Sequence, residues 1–263
     1  MSFSSAAKEA TTLHDVTATT KKTFVLVPGG WHGGWVWRPV AQRLRRAGHH
    51  AVTVTLPGLS DGDDVREITL QDAIDYLVDE IVRQGLSHVA LVGHSWAGYP
   101  ITAAAHRLGK DVVCHVIYYA AIVPAPGKGL IDECLPEHAA YFTEAIDATP
   151  DNSVPIGLDL VQQSLANGTD ESLQRLLSEI LVPQPGRYLT DSLFLPPLRT
   201  IGIAADYLKC EDDRAVPPDQ NFAARLGVEA LTVPGCHESL LTHPDELADA
   251  LLRLASSVGR EDR

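Results

Sequence analysis

A chain of 263 residues with 45% apolar and 21% charged side chains is long enough to enclose one large α/β core that carries an insertion. Its formal charge of −13 leaves no cationic face for a phosphate backbone, which argues against nucleic-acid binding and against long-range steering of anionic ligands. The four cysteines, Cys114, Cys134, Cys210 and Cys236, have no CxxC or ladder spacing and fit reduced thiols in a cytosolic, cytoplasmic protein.

The opening MSFSSAAKEATTLHDVTATTKK has no apolar stretch behind a basic start, so residues 1–22 are expected to form a flexible tail, neither signal peptide nor membrane anchor. From Phe24 strand and helix signals alternate. FVLV (24–27) is a strand that runs into Pro28 and two glycines; WRPVAQRLRRAG is a helix with Val40, Leu44 and Ala47 on one face and Gly48 as its stop. AVTVT (51–55) is the next strand, closed by Pro57-Gly58. TLQDAIDYLVDEIVRQG follows, with Thr69 and Asp72 forming a capping box and Ile74, Leu77, Val78, Ile81 and Val82 a predicted apolar stripe. HVALV (88–92) leads to a helix ending near Leu108-Gly109, and VVCHVIYYAAIV has the unbroken apolar character of a strand covered on both faces.

The rhythm fails between Pro124 and Pro196, where two helical stretches, PEHAAYFTEAI and DESLQRLLSEIL, stand with no strand expected between them. Residues 124–196 are therefore expected to be a cap over a core made of residues 23–123 and 197–263. The strand pattern resumes at IGIAADYLKC, a helix is expected from Pro217 to Leu226, VEALTVPG is the last strand, and a capped helix from Thr242 closes the chain. The alternation predicts an α/β fold with a mostly parallel twisted sheet and helices on both faces. No stretch is apolar enough to span a bilayer.

Within VALVGHSWAGYP, Ser95 stands between strand and helix with Gly93 before it and Ala97 and Gly98 after it. A helix cap would explain a serine there, but not the small residues on both sides. Those suit a tight turn that lifts the hydroxyl clear of the sheet, the G-x-S-x-G nucleophile elbow, with Ala97 where the last glycine is usual. A serine becomes a nucleophile when an imidazole takes its proton and a carboxylate holds that imidazole. Of the eleven histidines, His237 lies immediately beyond the last strand, whereas His243 opens a helix beside Pro244. Glu211, Asp212 and Asp213 offer the acid, with Asp213 preferred and Asp212 next; Asp206 lies inside its strand. The order serine, acid, histidine is that of an α/β-hydrolase, and all three follow predicted strands.

The attack would create an oxyanion that two backbone N–H groups can hold. Trp96, after the nucleophile, supplies one; the glycine-rich loop VPGGWHGGWVW supplies the other, with Gly30 chosen. All four tryptophans fall in these two segments. Trp31, His32 and Trp96 are expected to line a substrate pocket suited to an apolar or aromatic molecule, while Trp35 and Trp37 are as readily core residues.

Together, FVLVPGGWHGGWVWRPV, VALVGHSWAG, YLKCEDDRAVPP and VPGCHESLLTHPDELADAL make the chain resemble the small α/β-hydrolases that group plant methylesterases of the methyl salicylate type with hydroxynitrile lyases and microbial esterases. The resemblance runs from Phe24 to about Leu254 apart from the expected cap. That family's V-H-G-x-x-H-G-x-W-x-W and C-x-x-D-x-x-x-P patterns align its second oxyanion donor with Gly30 and its acid with Asp213. Pro28 replaces the first histidine. Glu238 and Gly29 stand where the lyases carry a lysine and, in one branch, a threonine, which weakens the lyase reading. Pro100 removes a backbone donor early in the next helix and predicts a late start or a kink.

The resemblance implies a cofactor-independent serine hydrolase, with no metal, that cleaves a methyl ester or lactone of a small apolar or aromatic metabolite through an acyl-enzyme. The alternatives are a hydroxynitrile lyase or C–C bond hydrolase using the same three residues, and a non-enzymatic ligand receptor on a hydrolase scaffold. The small-molecule ester is the only partner expected, and neither nucleic acid nor membrane is. The sequence is silent on oligomeric state.

Overall fold

The computed structural model describes residues 21–216 and 221–257. Residues 1–20 of the expected tail and the first residues of the helix expected from Pro217 lie outside the described residues. The main sheet holds β1 (Thr23–Val27), β2 (His50–Thr53), β3 (Val89–His94), β4 (Val113–Tyr119), β7 (Ala204–Cys210) and β8 (Leu231–Val233) in the order β2-β1-β3-β4-β7-β8. Every pairing in it is parallel.

Helices cover both faces because the inner strands β1, β3 and β4 are buried at nearly every position and mostly apolar, and alternate side chains point to opposite sides. Val25, Val27 and Leu91 face one way, onto α2 (Leu70–Arg83) and α3 (Gly98–Leu108); Phe24, Leu26 and Val92 face the other, onto α1 (Arg38–Arg46) and α10 (Pro244–Ser257). The Thr69–Asp72 capping box forms as expected, and Leu70, Ala73, Ile74, Leu77 and Ile81 are buried. Val82 is not part of that stripe: one residue beyond Ile81, it is turned about a quarter of the way round the helix and is 62% exposed. Pro100 causes no break, since α3 starts at Gly98 after a single tight turn, and a third-position proline lacks only an N–H that has no partner inside the helix.

Between β4 and β7 lie α4 (Pro136–Ala148), β5 (Ser153–Val154), α5 (Leu158–Leu160), α6 (Glu171–Ile180), β6 (Gln184–Pro185) and α7 (Arg187–Thr190). The two expected helices are α4 and α6. The expectation of no strand between them is corrected, because β5 stands there and pairs antiparallel with β6. These strands are two residues long and carry no periodicity for a sequence reading to catch. After β7 come α8 (Phe222–Leu226) and, following β8, α9 (Ser239–Thr242) before α10. No helix among the described residues is long and apolar enough to cross a membrane.

The chain leaves β1 outward to β2 and returns across it to β3. β1 and β3 are therefore neighbours whose following loops diverge, with Val27 level with Gly93. The crevice at their carboxyl ends is where such a sheet gathers ligands.

Candidate active site

Three residues other than glycine take left-handed backbone beyond the carboxyl ends of central strands: Trp31 (φ 65°) after β1, Ser95 (φ 57°) after β3 and Ala120 (φ 44°) after β4. Such conformations cost on the order of 1–3 kcal/mol each and persist only where surrounding structure imposes them. The small residues around Ser95 impose this one. A carbon added at Gly93 would stand 2.6 Å from Ile101 Cδ1, and one added at Gly98 only 1.8 Å from the Ile122 carbonyl oxygen. The same segment is bonded to the elbow, since Ile122 N–H donates to the Ser95 carbonyl at 3.1 Å. Thus Gly98 is the position that admits no side chain, whereas Ala97 packs its methyl into the core. Gly98→Ala is expected to destabilise the fold by about 1–3 kcal/mol, because the obstacle is backbone. A lower urea midpoint at unchanged slope would register it.

The acid and base arrive from the far side of the sheet. Past β7, Glu211 N–H donates to Val233 O and Asp212 N–H to Gly235 O, both at 2.9 Å, tying this turn to the loop after β8. Asp213 then points inward: its Oδ1 accepts from the Ala215 and Val216 N–H groups at 2.8 and 3.2 Å, and its Oδ2 lies 3.0 Å from His237 Nδ1. Asp212 is exposed, so of the adjacent carboxylates it is Asp213 that meets the histidine. His243 Nδ1 instead lies 2.9 Å from Thr242 Oγ1.

His237 is 1% exposed, and its ring centroid is 4.3 Å from that of His94, the residue before Ser95. With Nδ1–H donated to Asp213, Nε2 is left as the proton acceptor, and it has no hydrogen-bond partner among the described residues. Burial pulls the His237 pKa down, but the charge and hydrogen bond of Asp213, with the charge of Glu238, outweigh it and leave it above the ordinary 6.5. His94 is held well below that value by its own burial and then by its neighbours His237 and His32, so it packs as a neutral ring.

The loop after β1 lies directly on the elbow: a carbon added at Gly29 would stand 2.7 Å from Ser95 Cβ. Next along, the Gly30 carbonyl accepts from His32 Nδ1 at 2.6 Å. His32 was expected in the pocket and is not there. It is 1% exposed and turned beneath the loop, with Nε2 at 3.2 Å from Oε1 of the fully buried Glu238. The left-handed turn at Trp31 accounts for this by sending Trp31 outward and its successor inward. A cavity of about 600 Å³ opens above Ser95, walled by Trp31, Trp96, Phe142, Gln184 and Val216 among others. Phe142 and Gln184 come from the inserted segment, and sequence reasoning did not single them out. A glutamine between prolines in LVPQPG is a faint signal.

A family profile described as "Alpha/beta hydrolase family" matches residues 24–250. The chain belongs to the alpha/beta hydrolase family. Along its length this alpha/beta hydrolase is similar to Salicylic acid-binding protein 2 of Nicotiana tabacum, 25% identical over 89% of this chain and 97% of that protein. Over a shorter stretch it is 38% identical to a carbendazim hydrolyzing esterase of Nocardioides sp. (strain SG-4G), covering 41% of this chain and 45% of that one. Among solved structures, an extracellular alpha/beta-hydrolase from a Paenibacillus species superposes with a TM-score of 0.83 at 23% identity, over 88% of this chain and 98% of that one. Other relatives matched over most of their length are named as esterases and methylesterases, and this protein is an enzyme of that esterase kind.

In this alpha/beta hydrolase the two cavity-facing tryptophans also fasten the inserted segment. Trp31 Nε1 donates to Val154 O at 2.8 Å, and Trp31 O accepts from Val182 N–H at 3.1 Å. Trp96 donates its indole N–H to Tyr188 O and stacks on the Tyr188 ring at 4.2 Å, while the Tyr188 hydroxyl donates to Pro57 O at 2.6 Å. These two indoles thus combine an apolar face with a satisfied polar edge. Trp37 is wholly buried, and Trp35 is 40% exposed.

Proposed function

We propose that this hydrolase cleaves a carboxylic ester, a methyl ester or lactone of a small apolar or aromatic metabolite, through an acyl-enzyme on Ser95 and without a cofactor. The observation that carries the reading is Ser95, held at φ 57° in a cavity of about 600 Å³ and next in the chain to His94, whose ring centroid lies 4.3 Å from that of the buried, Asp213-bonded His237 with its Nε2 unpaired. Ser95 Oγ attacks the ester carbonyl as His237 Nε2 takes its proton. Asp213 keeps the other ring nitrogen protonated and stabilises the imidazolium.

The Gly30 and Trp96 N–H groups hold the developing oxyanion, each worth on the order of 3 kcal/mol when preorganised. His237 then protonates the departing alcohol, and water repeats the sequence in reverse to free the acid. Residues 124–196 act as the cap, fastened through Trp31 and Tyr188 and supplying the upper wall. Contacts of this kind often tighten only once substrate is bound, so an unpaired Nε2 suits the resting enzyme.

The apolar walls favour an uncharged substrate, and the esterase names of the relatives point the same way. Glu238 in place of a lysine disfavours cyanide release. A panel of short methyl and p-nitrophenyl esters run beside a cyanohydrin tests the reading, together with fluorophosphonate labelling of Ser95. Ester turnover with labelling is expected; cyanohydrin cleavage with esters untouched would overturn it in favour of lyase chemistry.

A further inference from the structure

Gln184 is a wholly buried polar group lining the cavity that the proposed reaction does not use, unlike His138, Asp159, Gln163 and Ser164, which line it from more exposed positions. It sits on β6, opposite Val154, and is 0% exposed. Neither Oε1 nor Nε2 has a hydrogen-bond partner among the described residues. The carboxamide lies on the bare face of Gly30, where an added carbon would come 1.9 Å from Oε1 and 3.3 Å from Nε2. It also lines the same cavity as Ser95. Pro183 and Pro185 flank it, and Val182 N–H is bonded to Trp31 O, so its backbone is held against the oxyanion loop.

A buried primary amide with all its hydrogen-bonding capacity unused is costly, and native proteins keep such groups where something binds them. In a wall that is otherwise largely apolar, one amide held beside the loop that receives the ester carbonyl reads the substrate close to its reacting carbon. The carboxamide can turn to present either Oε1 to an N–H or Nε2–H to a carbonyl, so an amide is the group it suits.

Building on the serine-hydrolase reading above, we infer that Gln184 selects esters whose acyl part carries an amide group within a few atoms of the scissile carbonyl, acylamino esters in preference to plain alkanoyl esters. The walls around Trp31, Phe142 and Val216 take the remainder of the acyl chain.

The test is a matched pair, p-nitrophenyl N-acetylglycinate and p-nitrophenyl pentanoate, which share a leaving group and acyl length and differ in the amide. The quantity read is the ratio of their kcat/KM values in wild type and in Gln184→Leu and Gln184→Met. Removing the amide is expected to lower that ratio roughly 10- to 100-fold, the scale on which sites built to hydrogen-bond a substrate discriminate. A parallel fall for both esters would overturn the proposal and make Gln184 a support for the oxyanion loop, and an unchanged ratio would overturn it as well. Fluorophosphonate labelling of each variant separates the two levels. A labelled enzyme with an unmoved ratio sinks the role of Gln184 alone, whereas a wild type that is unlabelled and turns over neither ester sinks the hydrolase reading and this proposal with it.

Discussion

Replacing Ser95 by alanine is expected to lower kcat for ester hydrolysis by on the order of 10⁵- to 10⁶-fold, the scale seen when a triad nucleophile is removed. What survives is the acceleration from the oxyanion donors and from binding alone, which act on a water molecule instead of the serine oxygen. Alanine at φ 57° inherits the strain of the wild type, because the penalty belongs to Cβ and not to the hydroxyl. Stability is therefore expected to stay close to wild type. Ser95→Gly, by contrast, relieves the strain and is expected to raise stability by about 1 kcal/mol while being equally inactive. Rates on p-nitrophenyl butyrate, with thermal unfolding of all three proteins, separate the chemistry from the fold. Retention of the rate in either variant would mean that the nucleophile lies elsewhere.

The residues that announced themselves in the sequence are those whose neighbours in the chain do the constraining. The Thr69–Asp72 box and the Leu70–Ile81 face are local and were legible. So was the elbow, since Gly93 and Gly98 lie within three residues of Ser95. The preference for Asp213 over Asp212 had less behind it, because both follow the same strand. Only the resemblance to the C-x-x-D-x-x-x-P pattern pointed to Asp213; what separates the two physically is the bonding of Glu211 and Asp212 to Val233 and Gly235, contacts made across β7 and β8.

His32 shows the opposite failure. Its position in a glycine-rich loop looked like pocket lining, yet the backbone sign at Trp31 turned it toward Glu238, and nothing in a tryptophan advertises φ 65°. Gln184 and Phe142 were hidden for a third reason. Gln184 reaches the cavity from a two-residue strand that has no period, its backbone tied to the Trp31 loop through Val182, and Phe142, on α4, is placed by a long-range ring contact with Trp31.

His237→Ala is expected to be nearly as damaging as loss of the serine, and Asp213→Asn to lower kcat about 10⁴-fold, because an amide no longer fixes the productive tautomer. Asp212→Asn, at an exposed carboxylate, is expected to leave kcat within a few-fold of wild type. The pH profile carries more information than the plateau. The imidazole acts as a base only when neutral, so the acid limb of kcat/KM follows the free-enzyme pKa of His237, which lies above 6.5. In Asp213→Asn the residual activity should show that limb displaced to lower pH, since the charge and hydrogen bond of Asp213 are gone and burial, the largest influence, outweighs the remaining charge of Glu238. The sign for stability is the reverse of that for activity. A histidine whose folded pKa is raised contributes stability that is fully present below its unfolded value and is lost as pH rises through the folded one. The His237–Asp213 pair therefore strengthens the fold most in acid, where the enzyme is least active, and Asp213→Asn should lose more stability at pH 5 than at pH 9. Urea midpoints at the two pH values, read beside the rate profiles, check both signs at once. An acid limb that stayed in place in the asparagine variant would show that another group controls the ionisation.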